Sequence, residues 1–353
     1  MIYAQISRSI GLNDVCDSLQ IHSGPLSQIR GATPPSRNGL SYANKTRTAQ
    51  LAERLFWEVT DHLKTTFPQH AHGKLPKELF RFKRQIHIID STTIELVANC
   101  MDWARHRRRK AAAKTHMRLD MESMLPRFAI VDTAKHNDNL RARELCAGLK
   151  AGEIVIFDRA YNDFDHLRDL EERSVQWVGR QKRRTACEVI ESMETSGQIT
   201  HDELIVLNNG LVFRRVSAWV EVDGKQRKMT FLTNNRNWSS QTICDLYKAR
   251  WQIEVFFKQI KQIKQTLKLA DFLGHSANAV RWQVWTALLV YVLLRFPSRM
   301  SSWSHSFTRI FAVVRAALWE RMDLLGFLKS LCGTADGGFR NLARPEQAYF
   351  PRF

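Results

Sequence analysis

The spacing of hydrophobic positions changes along the chain, and the changes divide it into parts. Over residues 1–75 the apolar positions recur at helical intervals, as in Ala49, Leu51, Leu55, Phe56 and Val59. Residues 31–39, with Pro34, Pro35 and Asn38, read as a turn, and residues 68–76 as a linker. Near residue 80 the period shortens. Residues 85–89 alternate and then run apolar into Asp90, 126–131 form a second apolar run, and 153–157 a third that ends at Asp158. Helical patterns at 140–149 and 164–170 and a strand-like run at 175–178 complete an alternation of strands and helices. Residues 204–207, 212–216, 219–222 and 229–232 are short β-like runs. Asn208-Asn209-Gly210 and Asp223-Gly224 lie between them as hairpin signals. Ser239 or Ser240 can cap a long helix reaching about Leu269, and a strongly apolar helix covers 282–296 with Pro297 at its end. The pattern predicts an α/β core interrupted by a β-rich insertion, with helical terminal regions.

Composition narrows the partner. The chain has 353 residues, 44% of them apolar, which excludes disorder for the bulk and suggests two to three domains. The six cysteines never pair as C-x-x-C, so a zinc site of usual spacing and a disulfide scaffold are not expected, and a reducing compartment fits. Arg8 and Asp14 interrupt the first apolar residues, against a signal peptide, and the apolar stretch 284–294 is too short to span a bilayer. The net charge of +18 points to a polyanion. The basic residues are clustered: Arg105, Arg107, Arg108, Arg109, Lys110, Lys114 and Arg118; then Arg180, Lys182, Arg183 and Arg184; then Lys258, Lys261, Lys264 and Lys268; then Arg340, Arg344 and Arg352. Each alone could be a solvated surface; together they favour phosphate contacts.

One helix carries an unusual face. On an ideal helix Tyr247, Arg250, Glu254 and Lys261 fall within an arc of about 60°. Ala249, Ile253, Phe256, Ile260, Ile263 and Leu267 form a separate apolar face. The polar face has two readings. It is an i,i+4 salt-bridged surface, with Glu254 pairing Arg250 or Lys258, or its acid holds a metal while its cations hold phosphates. Asp90 and Asp158, at the ends of two expected strands, favour the second. Three carboxylates can hold two divalent ions about 3.5–4 Å apart for attack on a phosphodiester.

With those residues in view, the chain resembles the DDE transposases of the insertion sequence 4 family. Tyr247-x2-Arg250-x3-Glu254-x6-Lys261 has the spacing of that family's YREK signature. Ile88-Ile89-Asp90-Ser91-Thr92-Thr93 and Phe157-Asp158-Arg159-Ala160-Tyr161 fit its two Asp segments, with Ala160 where members often have Gly. Lys114-Thr115-His116 and Phe231-Leu232-Thr233-Asn234 are weaker matches. The resemblance covers about residues 80–295 and implies an RNase H-like fold with a β-rich insertion. It implies metal-dependent cleavage and strand transfer at element ends, with two Mg²⁺ or Mn²⁺ ions on Asp90, Asp158 and Glu254. Tyr247, Arg250 and Lys261 would contact DNA phosphates, and Trp219 or Trp238 would stack a flipped base. Arg107, Arg108, Arg109 and Lys114 join the expected DNA-binding set.

The expected organisation is a helical region at 1–75, open to reading as a DNA-binding unit shorter than that of relatives or as an ordinary helical pair, RNase H-like core at 80–180 and 236–300, the β insertion at 181–235, and a C-terminal region at 301–353. The expected partner is double-stranded DNA, at element ends and target, with a homodimer in the DNA complex and no membrane. The expected place is the bacterial cytoplasm, at the nucleoid. Two rivals stand beside this reading: an RNase H-like nuclease or resolvase without strand transfer, and a DNA-binding remnant without catalysis.

Overall fold

A computed structural model describes residues 1–9, 11–71, 77–96, 105–107, 110–133, 138–182, 185–222, 224–265, 274 and 276–333. The chain divides into two compact units. One comprises Met1–Ala71, Leu96–Met101 and Lys258–Phe353, the other His72–Glu95 and Asp102–Phe257.

The first unit begins with helices α1 (Ile2–Ser7), α2 (Leu12–Ile21), α3 (Ser23–Ser27), α4 (Arg37–Thr46), α5 (Gln50–Thr66) and α6 (Pro68–Ala71). The start of the expected linker is therefore helical, with Pro68 at the first position, where its missing N–H is not needed. Residues 72–76, the rest of that linker, lie outside the described residues.

The second unit is built on one mixed sheet. Its strands are β1 (Ile86–Leu96), β2 (Arg105–Arg107), β3 (Lys110–Asp120), β4 (Pro126–Thr133), β5 (Ile154–Phe157), β6 (Gln176–Arg180), β7 (Cys187–Ser192), β8 (Ile199–Leu207), β9 (Val212–Val222) and β10 (Lys225–Thr233). They lie in the order β2-β3-β1-β5-β6-β10-β9-β8-β7, with β4 also paired to β3. β5 runs parallel to β1 on one side and to β6 on the other, with Phe157 beside Ile89 and Gly179. Its four residues are all buried, as a central parallel strand requires when both faces are covered. Helix α7 (Asp138–Cys146) precedes β5 and α8 (Phe164–Glu172) joins β5 to β6. Leu145, Cys146, Val155, Phe157, Leu167, Leu170 and Trp177 are among the buried residues of this core. Each such large side chain contributes roughly 1.5–3 kcal/mol by leaving water. Trp177 stacks 5.9 Å from Phe157 and meets Phe213 edge-on at 4.9 Å.

The strands at 187–233 extend this same sheet, because β10 pairs antiparallel with β6. Both hairpin signals are used. Gly210, at φ 80°, turns β8 into β9, and Gly224, at φ 71°, lies between β9 and β10. The two β-like runs at 212–216 and 219–222 are one strand, β9.

Helices α9 (Ser240–Ala249) and α10 (Trp251–Gln265) follow. The single long helix expected from the sequence is broken at Arg250, whose N–H bonds back to the Tyr247 carbonyl, a tightened i→i−3 turn. Ser239 caps α9, accepting from the Thr242 N–H at 3.2 Å. Arg81 donates to the Thr242 hydroxyl, pinning the same turn.

The first unit resumes with α11 (Ala277–Met300), α12 (Phe307–Ala316) and α13 (Leu324–Leu331). Helix α11 continues past Pro297, contrary to expectation; the proline removes one N–H in the last turn, while Ser301 still bonds to the Pro297 carbonyl. It is long and apolar enough to cross a bilayer, but 72% of its most apolar window is buried, as in a core helix. Trp285 of α11 meets Phe56 and Trp57 of α5 at 5.5 and 6.0 Å. Asn278 secures the α4–α5 connection, accepting from the Ala49 N–H and donating to the Arg47 carbonyl, both at 2.8 Å.

Candidate active site

Three elements of the sheet-bearing unit bring Asp90, Asp158 and Glu254 to one place. Asp90 follows the last β1 residue paired with β5, and β1 itself runs on to Leu96, so the acid stands within the strand rather than at its end. Asp158 follows β5 directly and opens a 3₁₀ turn, Arg159–Tyr161. Its carboxylate makes no capping hydrogen bond there, which removes the ordinary reading of an Asp at a turn. Glu254 sits in the first turn of α10.

Arg250 ties two of the acids together. Its Nη1 donates to Asp90 Oδ2 at 3.0 Å and its Nη2 to Glu254 Oε1 at 2.6 Å. Tyr247, one turn earlier, donates its hydroxyl to Asp158 Oδ1 at 3.0 Å. The Arg250 guanidinium carbon lies 5.6 Å from the Tyr247 ring centre. Five residues singled out by sequence, Asp90, Asp158, Tyr247, Arg250 and Glu254, thus form one network across segments far apart in the chain.

The electrostatics follow from this crowding. Burial pushes the Asp90 carboxyl up to about 6, against the pull of Arg250, and Asp158 and Glu254 add to the rise. Burial and the Asp158 charge raise the Tyr247 phenol, against Arg250 and Arg180. Burial acts to lower Arg250, but Tyr247, Asp90 and Glu254 outweigh it and hold the guanidinium charged.

The donor set suits a hard divalent cation: three carboxylates, with the place between Asp90 and Glu254 held by a cationic side chain. Among the described residues no three His, Cys, Asp or Glu side chains are already set around one ion, and here Arg250 and Tyr247 take up carboxylate oxygens instead.

The remaining site residues divide. Lys261 lies farther along α10, half-exposed. Arg107 falls in β2 and Lys114 on β3, half-exposed, while Arg108 and Arg109 lie outside the described residues. Arg118, counted in the same basic cluster, is 8% exposed and donates to the Leu145 carbonyl at the end of α7. It serves the fold, a correction to the reading of the whole cluster as a phosphate surface. Trp219 is 46% exposed on β9. Trp238 is half-buried and packs edge-on against Phe82 at 5.6 Å.

Sequence reasoning missed the floor under Asp158. Tyr161 is buried, its N–H bonds to the Asp158 carbonyl, and its hydroxyl lies 3.4 Å from His116 Nδ1. Asn162 donates to the Arg180 carbonyl at 2.6 Å, and Lys182 donates to the Asn162 carbonyl at 2.5 Å. Gly179 gives Asn162 and Phe157 room, since a Cβ there would stand 2.5 Å from Phe157 Cε2. The glycine within a strand, following the apolar pair Trp177-Val178, was the available signal.

The family described as "Transposase DDE domain" matches residues 81–293. A protein of Sinorhizobium fredii named as transposase y4zB is 31% identical over 71% of this chain and 72% of its own length. A protein of Geobacillus stearothermophilus named as a transposase for insertion sequence element IS5377 is 28% identical over 61% of this chain and 57% of its own. A Synechocystis protein named as a transposase for insertion sequence element IS4SA is 21% identical over 62% of each. The matched span begins before Asp90 and ends beyond Lys261, so it contains the whole network of acids, arginine and tyrosine, and the chain belongs to the family of transposases with a DDE domain.

Proposed function

We propose that Asp90, Asp158 and Glu254 bind two divalent ions, Mg²⁺ or Mn²⁺, and that the protein cuts and rejoins DNA at the ends of an insertion sequence of the insertion sequence 4 type. The observation that carries this reading is the convergence of three carboxylates from β1, the end of β5 and α10 on one arginine and one tyrosine. Bound ions would activate a water or 3′-hydroxyl and stabilise the leaving oxygen. This chain's own residues position and neutralise. Tyr247 orients the Asp158 carboxylate, and Arg250, which stays charged, supplies a positive group for a scissile phosphate. Lys261, Arg107, Arg108, Arg109 and Lys114 add phosphate contacts and Trp219 a stacking surface. Trp238, packed on Phe82, is the weaker candidate for stacking.

The strand arrangement supports an RNase H-like core. β4, β3 and β1 lie beside parallel β5 and β6, and helices α7 and α8 connect through them. The partner in this reading is double-stranded DNA in the bacterial nucleoid, held by a homodimer.

The test is a two-product assay with labelled DNA carrying the element's own ends, scoring nicked and joined DNA separately. Asp90→Ala, Asp158→Ala or Glu254→Ala abolishes both products while leaving DNA binding largely intact, because phosphate contacts dominate affinity. Equal cleavage by those variants sinks the reading. Wild-type protein that nicks but never joins makes the enzyme a nuclease without strand transfer.

A further inference from the structure

Arg250 and a divalent ion call on the same atoms. The guanidinium donates to Asp90 Oδ2 and Glu254 Oε1, at 3.0 and 2.6 Å. An ion ligated by those oxygens lies about 2.0–2.2 Å from them, so it would stand against the guanidinium, two cations in contact. Three features let the arginine leave. It sits at the break between α9 and α10 rather than inside a regular helical turn. Its Nε has no hydrogen-bond partner. And Asp90 and Glu254 remain 19% and 31% exposed, so the network opens toward solvent.

We propose that Arg250 is an exchangeable counter-ion. It holds Asp90 and Glu254 until divalent ions bind, and then moves to a DNA phosphate, so that metal and DNA binding reinforce each other through one guanidinium. The proposal rests on the reading of the acids as metal ligands. It has a physical consequence that a fixed phosphate-binding arginine does not share. A fixed arginine adds to DNA affinity regardless of metal. An exchanging one links the two: DNA draws the competitor off the carboxylates, and metal frees the arginine for DNA. By linkage the factor by which DNA tightens metal binding equals the factor by which metal tightens DNA binding. A protein so built keeps Asp90 and Glu254 bridged by its own arginine until DNA is seated.

The test uses the full chain, Mn²⁺ as the probe, and a short DNA duplex, with free Mn²⁺ read by electron paramagnetic resonance and duplex-only blanks subtracted. Wild-type protein is expected to bind Mn²⁺ about tenfold more tightly with duplex than without, within the usual range of coupling between two sites. Arg250→Gln binds Mn²⁺ without duplex at least as tightly as wild type does, and the gain from duplex falls below about threefold. Arg250→Lys keeps the charge but loses the two-armed bridge, and guards against misreading a folding defect; it falls between the two. Equal wild-type affinity with and without duplex overturns the proposal. So does Mn²⁺ binding that is clearly weaker in both Arg250 variants, which would make the arginine an organiser of the ligands rather than their competitor. If Glu254→Ala binds Mn²⁺ as wild type does, the metal reading itself has failed, an outcome distinct from either.

Discussion

Arg214 and Arg250 both face acids in the interior of the sheet-bearing unit, and they differ in how the charges balance. Arg214 donates from Nε and Nη2 to the two oxygens of Asp202, at 2.8 and 2.7 Å, and its Nη1 reaches the carbonyls of Arg236 and Trp238. Ser240 completes the carboxylate. Burial alone would raise the Asp202 carboxyl, but the bonds from Arg214 and Ser240 outweigh it and hold it below its ordinary value. Charge is matched one to one. Around Arg250 one guanidinium bridges two carboxylates, with a third close by, and Asp90 is pushed up to about 6. A fold that needed only an ion pair had the Arg214 solution available. This excess of carboxylates over cations, costly if left uncompensated, is what the proposed metal site would balance with ions from outside.

The largest effect that can break this contrast is on stability. Asp202→Ala leaves Arg214 buried without its acid and should cost about 3–5 kcal/mol, measured by urea unfolding. Mn²⁺ should not restore it, because the lost partner was an anion. Arg250→Gln leaves an excess of carboxylates, and Mn²⁺ should recover much of what it loses. If Mn²⁺ acts alike on both variants, the two networks are the same kind of structural ion pair.

Acid separates the two kinds of buried group next. His166, 1% exposed on α8, is depressed to about 4 by burial. Its unfolded value is near 6.5, so the unfolded chain takes up the proton first. Its contribution is therefore complete above about 6.5 and lost as pH falls toward 4, about 3 kcal/mol in all at roughly 1.4 kcal/mol per unit. Asp90 runs the other way. Its folded value lies above its unfolded one, so its contribution is greatest in acid and declines as pH rises through about 6. His166→Gln should flatten the loss of stability between pH 6.5 and 4. An unchanged slope would remove His166 as its source.

The next effect is local. Gly179→Ala would place a Cβ 2.5 Å from Phe157 Cε2 and 2.9 Å from Asn162 Oδ1. The clash should cost about 1–3 kcal/mol. Because Phe157 precedes Asp158, DNA cleavage should fall as well. Gly148→Ala, whose Cβ would meet only the Arg118 guanidinium at an ordinary contact distance of 3.4 Å, is the control and should change neither. Equal effects at the two glycines would show that Gly179 does not support the site.

How much of this was legible in the sequence follows from what each signal depends on. β5 was readable because four consecutive apolar residues have few alternatives to a buried strand. The hairpins were readable because Asn-Gly and Asp-Gly specify their own turns. The site residues were readable as types and spacing, but their partners were not. Arg250 lies four residues before Glu254, and that local pair was foreseen; its second bond, to Asp90, spans a separation of 160 positions in the chain. The helix break at Arg250 left no mark in the apolar period, which continues across it. β3 was hidden by its own composition, since Lys114 and Arg118 read as surface until Arg118 is seen buried against the Leu145 carbonyl. Tertiary hydrogen bonds of this kind override a local polarity pattern.

The smallest effect on stability tests the two tryptophans against each other. Trp219 stands on β9 opposite Lys228 of β10, with nearly half of its surface in solvent. Truncating it removes little packing, so Trp219→Ala should change unfolding stability by no more than about 0.5 kcal/mol. Trp238 packs against Phe82, its carbonyl accepts from Arg214, and it directly precedes the Ser239 cap. Trp238→Ala should cost about 1–3 kcal/mol through lost burial. DNA binding should reverse the order. An exposed indole beside a lysine can stack on an unpaired base, worth about 1–3 kcal/mol per base, whereas the half-buried Trp238 ring, packed edge-on against Phe82, has less free surface to offer. The measurement is binding of DNA with an unpaired base near its end, against a fully paired control, alongside urea unfolding of both variants. Loss of the unpaired-base preference in Trp219→Ala, with stability intact, places the stacking surface on β9. If Trp238→Ala loses that preference and Trp219→Ala keeps it, the stacking surface lies at the start of α9 instead, and the exposed indole on β9 is an ordinary surface residue.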